Sequence, residues 1–271
     1  MLSDITIGQY FPGESVLHRM DPRVKIVLTI AYIAAIFIPQ NWAGLGVAVA
    51  FLIVCVACSR LPLRLIWKSL KPILPIVLIT AVLNALYVHQ GVVLVDWWIL
   101  HITTGGLIHA AFLALRILCL IAGSSLLTYT TGPTALTDAL ERLMKPLKVI
   151  RVPVHELAMM MTIALRFIPT LIEETDKIMS AQKARGADME SGGVIKRIRA
   201  LIPVLIPLFV SSFRRAYDLA MAMECRCYHG GSGRTRMIQL HLHRRDAIAI
   251  AATAACVAAA IVFNFLLPAT I

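Results

Sequence analysis

The sequence predicts an all-α integral membrane protein: about five transmembrane helices, with a cytosolic module of long amphipathic helices inserted before the last span. Three observations predict it. Hydrophobic residues make up 59% of the 271 positions and charged ones 15%, against about 25% charged in an ordinary soluble domain. Mean hydropathy is +0.79. The charge that remains is unevenly spread, since residues 132–246 hold 18 of the 26 basic and 11 of the 15 acidic side chains. A water-soluble enzyme, a disordered binder and a small disulfide scaffold are all excluded by this composition. The net charge of +11 is read as basic loops beside anionic lipid rather than as a nucleic-acid surface.

Residues 1–25 carry Asp4, Glu14, Arg19, Asp21, Arg23 and Lys25 with no apolar core, so no cleavable signal is expected there. Residues 26–59 are free of charge over 34 positions. One helix of that length would reach roughly 51 Å, too long for a hydrocarbon core of roughly 30 Å. Pro39-Gln40-Asn41 supplies the break, giving two short spans. A third span is expected over 72–95, a fourth from about Gly105 to Thr128 interrupted by Arg116, and a fifth over 247–271. The organisation is therefore 1–131 for the N-terminal segment and four spans, 132–246 for the charged module, and 247–271 for the last span.

Loop charge sets the orientation. The connection after the second span carries Arg60, Arg64, Lys68 and Lys71 and no acid, whereas 39–42 and 89–104 carry no Lys or Arg. The N-terminus and the 60–71 connection are thus placed in the cytoplasm. Trp42, Trp97 and Trp98 fall at the outer boundary and Trp67 at the inner one. Of the six cysteines, Cys55, Cys58, Cys119 and Cys256 lie in apolar runs, which reads as packing in a reducing compartment rather than a disulfide framework.

Within 132–246, Thr131-Gly132-Pro133-Thr134 signals a helix start. Leu136, Leu140 and Leu143 repeat at helical spacing until Pro146 and Pro153. A second helix is expected from about Val154 to Arg185, with Leu157, Met161, Leu165, Ile168 and Ile172 on one face and Gly186 as its stop. Glu173, Glu174, Asp176 and Lys177 read as its solvated face, and Met159-Met160-Met161 as adaptable packing against a partner helix. A third helix runs from near Val194 to about Tyr228, ended by Gly230-Gly231. Both long helices are expected to lie along the cytoplasmic face of the membrane.

Each of these helices ends in one Arg flanked by small residues: Ala184-Arg185-Gly186 and Cys225-Arg226-Cys227. Together with Gly8-Gln9-Tyr10-Phe11-Pro12-Gly13, Leu17-His18-Arg19-Met20-Asp21-Pro22-Arg23, Leu165-Arg166-Phe167-Ile168-Pro169 and Arg234-Thr235-Arg236, they occur in an order that resembles the transmembrane T component of energy-coupling factor (ECF) transporters, the EcfT/CbiQ-like family. The second signature departs from that family's Ala-Arg-Gly by having Cys at 225 and 227. Cys is small enough for close approach, while helix termination is expected to pass to Gly230-Gly231.

The resemblance implies a non-catalytic scaffold of an ATP-binding-cassette importer for vitamins or other micronutrients, in a bacterial or archaeal cell membrane. It implies two cytosolic ATPase subunits as partners, identical or not, which bind the ATP and Mg, and one or more membrane-embedded S components that bind substrate. It implies no cofactor or metal in this chain. Ala184, Arg185, Gly186, Cys225, Arg226 and Cys227 would form the ATPase-docking ends of the coupling helices. Arg suits such a role, being always protonated and carrying five donors in a fixed fork.

Other readings follow from the residues alone. An Arg near a helix C-terminus is also a favourable partner for the helix dipole. Arg116, inside a span, reads as a tie to carbonyls or to a facing helix, and Asn84 likewise. The Cys225, Cys227, His229, His241 and His243 set lacks the usual zinc spacing. No G-x-x-x-x-G-K-[ST], H-E-x-x-H or G-x-S-x-G occurs in the chain, so phosphate cradling of the P-loop kind is excluded. A membrane enzyme or a lone permease built on Arg116 and Asn84 are the competing classes. The permease would want matching broken helices in two halves.

Overall fold

The computed structural model describes residues 10–87, 93–97, 100–187, 193–231 and 239–266. Contacts divide these into two units, one of residues 10–136 with 239–266 and one of residues 137–231.

In the first unit α1 (Pro22–Phe37) starts at Asp21, whose carboxylate accepts from the Arg23 N–H at 2.9 Å, with Pro in the first turn. It ends where Ile38-Pro39 breaks the charge-free run. Helix α2 (Trp42–Ser59) starts at Asn41, whose Oδ1 accepts from the Gly44 N–H at 2.9 Å, and closes on Arg60 in the left-handed region. The expected break at 39–41 is therefore a stop followed by a cap. The expected 60–71 connection contains a helix of its own, α3 (Leu63–Leu70), which meets α4 (Leu74–Tyr87) at a bend of 56°.

The third span is shorter than 72–95. Helix α4 ends at Tyr87, and an antiparallel hairpin, β1 (Val93–Trp97) with β2 (Leu100–Thr103), precedes the next helix. Thr103 then caps α5 (Thr104–Thr130), accepting from the Gly106 N–H at 3.1 Å. The last helix of this unit, α9, covers Arg244–Leu266. Trp98 and the end of the chain beyond Leu266 lie outside the described residues.

The core of this unit is built from Tyr32, Ile36, Ala48, Leu52, Leu61, Ile66, Cys119, Ala122, Leu126 and Tyr129. At Gly123 the Tyr32 ring passes so close that a Cβ would sit 2.5 Å from Tyr32 Cε1. Only glycine lets α1 and α5 meet there. Arg116 is tied as a structural cation: Nη2 donates to the Pro39 carbonyl at 2.5 Å, and the guanidinium lies 4.7 Å from the Phe112 ring centroid. Asn84 bonds its own helix, donating to the Thr80 carbonyl at 2.8 Å.

Charge at the start of α1 is gathered into a buried knot. Asp246 accepts from the Asp21 N–H at 3.0 Å and from the His243 N–H at 2.8 Å. Arg23 clasps the Asp21 carboxylate, with its shortest contact 2.6 Å, and also donates to the Leu240 carbonyl at 3.2 Å. Lys25 Nζ donates to the Thr130 carbonyl, Thr131 Oγ1 and the His18 carbonyl at 2.9, 3.3 and 3.3 Å. Asp21, Lys25 and Asp246 are all buried. The knot joins the first turns of α1 and α9 to the last turn of α5, three ends distant in sequence.

The second unit comprises most of α6 (Pro133–Leu143), a 3-10 segment (Lys145–Ile150), and two 31-residue helices, α7 (Val154–Ala184) and α8 (Val194–Glu224). Their apolar windows are long enough to cross a membrane by length and composition, as are α2, α5 and α9; α1 is shorter, at 16 residues. Ile195, Ile198, Ile206, Phe209, Phe213 and Tyr217 of α8 are all exposed on this chain.

Candidate functional site

Helices α7 and α8 run antiparallel, as their cross-contacts establish. Glu174 of α7 receives an ion pair from Arg215 at 2.5 Å and a hydrogen bond from the Ser211 hydroxyl of α8. Near the start of α7, Tyr228 and His155 Nε2 approach to 3.4 Å, and His155 Nδ1 pairs with Glu141 at 3.0 Å. Near its end, Gln182 Nε2 donates to the Pro203 carbonyl at 3.4 Å. That last contact has a chemical reason. Pro207 has no N–H, so the carbonyl four residues earlier loses its helical donor, and Gln182 supplies a substitute. Glu174 therefore does not belong to a solvated face; it faces α8.

The two helices finish in the same way. At the end of α7 the Gly186 N–H donates to the Lys183 carbonyl and the Ala187 N–H to the Gln182 carbonyl, both at 3.0 Å, with Gly186 at φ 85°. At the end of α8 the Cys227 N–H donates to the Glu224 carbonyl at 2.8 Å and the Tyr228 N–H to the Met223 carbonyl at 3.0 Å, with Cys227 at φ 53°. Both are Schellman motifs, in which a left-handed residue turns the chain back to satisfy the last carbonyls. Ala184 corresponds to Cys225, Arg185 to Arg226 and Gly186 to Cys227. Gly230-Gly231 is not the stop of α8. Cys227 takes the left-handed conformation itself, at a cost of roughly 1–2 kcal/mol for a residue with a Cβ. His229 Nδ1 donates to the Cys227 carbonyl at 2.8 Å and steadies the turn.

Ala184, Arg185, Gly186, Cys225, Arg226 and Cys227 are all exposed. Neither Arg185 nor Arg226 has a hydrogen bond or ion pair from its side chain among the described residues. Glu174 lies eleven residues before Arg185, and Arg215 eleven before Arg226. Each guanidinium therefore stands about 16 Å of helix beyond the Glu174–Arg215 pair, on opposite sides of it.

Sequence reasoning picked out both Arg tips but not the ion pair between them, nor the Gln182 contact. Glu174 and Arg215 are 41 residues apart, beyond the reach of any local sequence pattern. Asp188 and Arg234-Thr235-Arg236 lie outside the described residues. All six cysteines are free thiols. Among the described residues no group of three or more His, Cys, Asp or Glu is arranged to hold a metal ion.

Long apolar helices, a core assembled around them and a pair of helices with matched cationic ends define a multi-pass helical membrane protein. The chain belongs to the family of ECF transporter transmembrane proteins. A family model described as "Cobalt transport protein" (CbiQ) matches residues 13–237. The chain is 56% identical over 239 residues to the energy-coupling factor transporter transmembrane protein EcfT of Clostridium kluyveri, covering 88% of each chain. It is 50% identical over 265 residues to that of Thermosediminibacter oceani, covering 98% of this chain and all of the relative. With that of Bacillus subtilis it shares 47% identity over 236 residues, 87% of this chain and 89% of the other. Membership makes it the membrane T component of an ECF transporter.

Proposed function

We propose that this chain couples ATP hydrolysis in two cytosolic ATPase subunits to movement of a substrate-binding S component, for uptake of a vitamin or other micronutrient. The chain itself is non-catalytic, and ATP and Mg belong to the ATPases. Arg185 and Arg226 dock one into each ATPase, with Ala184, Gly186, Cys225 and Cys227 leaving room for close approach. The N-terminus and the basic 60–71 segment face the cytoplasm.

The observation that carries this reading is the pair of identical helix ends. Two exposed guanidinium groups without partners among the described residues, set by the same cap at the same distance from a central ion pair, suit two equivalent receptor grooves. A helix dipole explains one cation near a C-terminus; it does not explain the repeated spacing. Movement of either ATPase is carried back along a helix tied to its neighbour at Glu174–Arg215 and Gln182–Pro203.

The test is the double variant Arg185→Glu with Arg226→Glu, compared with the unchanged chain for uptake and for ATPase subunits co-purified from membranes. Both should fall by tenfold or more, since truncating a desolvated interface Arg costs on the order of 2–4 kcal/mol. Membrane insertion should be unchanged. Normal uptake by the double variant overturns the proposal.

A further inference from the structure

A cavity of about 300 Å³ lies inside the first unit, walled by α1, α2, α5 and α9. Leu28 and Tyr32 of α1, Phe51 of α2, Leu126 of α5 and Ala252 of α9 form its wall. Val54 and Ile248, both more than half exposed, form its lips, so it opens sideways where hydrocarbon surrounds the spans. Its wall is almost wholly apolar in chemical effect. Thr29, Thr130 and Thr253 spend their hydroxyl protons on carbonyls of their own helices at 2.8, 2.7 and 2.9 Å, and Tyr32 donates to the Ala48 carbonyl at 3.4 Å.

Two cations line the cavity, and they differ. Lys25 has all three protons committed to the buried knot, so only its methylene stem is presented. Arg245 is exposed and has no hydrogen bond or ion pair among the described residues. The neighbouring acid, Asp246, is turned inward and occupied by the Asp21 and His243 N–H groups. The rim thus offers a free guanidinium above an apolar slot whose α9 wall runs from Arg245 to Thr253, about 12 Å of helix.

We infer that this cavity binds one anionic phospholipid, with an acyl chain in the slot between α1, α2 and α9 and its phosphate on Arg245. An anion without a tail would leave the slot empty. A neutral apolar molecule would leave Arg245 unused. The occupant that satisfies both has a phosphate head and a hydrocarbon chain, and the bilayer supplies it at high local concentration. Each methylene transferred from water to such a slot is worth about 0.8 kcal/mol, but a chain coming from the bilayer gains little from hydrophobicity. Selectivity therefore rests on the net charge of the head group. Phosphatidylcholine carries the same phosphate, but its choline cation is repelled by Arg245, whereas an anionic phospholipid leaves its phosphate charge to the guanidinium. This site does not depend on the docking of Arg185 and Arg226.

The experiment is native mass spectrometry of the full chain, extracted from vesicles containing equal parts phosphatidylglycerol and phosphatidylcholine. One phosphatidylglycerol should be retained in preference to phosphatidylcholine by about tenfold, equivalent to about 1.4 kcal/mol. Arg245→Gln, on an exposed side chain, should abolish that preference without lowering the unfolding temperature of the lipid-free chain. Ala252→Phe should expel the lipid altogether. Equal retention of the two lipids, no retention, or unchanged selectivity in Arg245→Gln overturns the inference.

Discussion

The two units solve the problem of charge in opposite ways. In the first, Asp21, Lys25 and Asp246 are buried and consumed by each other's neighbourhood, joining helix ends that are 225 residues apart in the chain. In the second, the Glu174–Arg215 ion pair crosses between α7 and α8, and among the described residues the two Arg side chains at the tips have no hydrogen bond or ion pair. The buried charges of the first unit act as an internal fastening, whereas the charges at the helix tips of the second are offered at the surface. Apolar side chains follow the same division: the first unit holds Tyr32, Ile36 and Leu126 in a core, whereas α8 exposes Ile198, Phe209 and Phe213.

Breaking the fastening should have the largest effect on stability. Asp246→Ala strips the Asp21 and His243 N–H groups of their acceptor, while Asp21 remains as a counter-charge for Lys25. It should lower stability by about 2–5 kcal/mol, seen as a large drop in the unfolding temperature of the detergent-solubilised chain. Arg116→Met removes the only described donor to the Pro39 carbonyl and should cost about 1–3 kcal/mol by the same measurement.

In the second unit Glu174→Gln tests the central tie. Ser211 keeps a partner while Arg215 loses its ion pair, so the expected loss is about 1 kcal/mol or less. Uptake should fall further than stability, because the tie holds the two arms in register. A proportionate fall in both would remove Glu174 from the transmission path. The smallest effect, and opposite in sign, is expected for Cys227→Gly. Relief of the left-handed strain exceeds the entropy lost by glycine, for a net gain of about 0.5–1 kcal/mol. Gly186→Ala, its counterpart, should lose about 1–2 kcal/mol.

What the sequence made legible was whatever local chemistry decides. Pro39 and Asn41 punctuate one charge-free run, and Gly186 stops α7, because stops and caps act within a few residues. The knot was hidden because Asp246 meets Asp21 through the fold rather than along the chain. Cys227 was misjudged in favour of Gly230-Gly231 because glycine carries the usual left-handed signal. There the hydrogen bonds from Cys227 and Tyr228 outweigh the Cβ penalty. The hairpin after α4 was hidden because 72–95 is free of charge, and His89-Gln90-Gly91, polar but uncharged, does not interrupt such a run. Glu174 was placed with its charged sequence neighbours, although a helix turns adjacent residues about 100° apart.

The eleven-residue arms on either side of Glu174–Arg215 have a geometric consequence. Two antiparallel helices of equal length, ending in the same cap, are exchanged to a first approximation by a half-turn about an axis through that ion pair. The pair is therefore a near-symmetric object made from one asymmetric chain, with Glu174 and Arg215 as the place where the symmetry is broken. Whatever surface meets Arg185 is met again, after the same half-turn, by Arg226. Inserting a single residue in either arm would turn its tip by about 100° and advance it by about 1.5 Å, spoiling the match at one end and leaving the other intact.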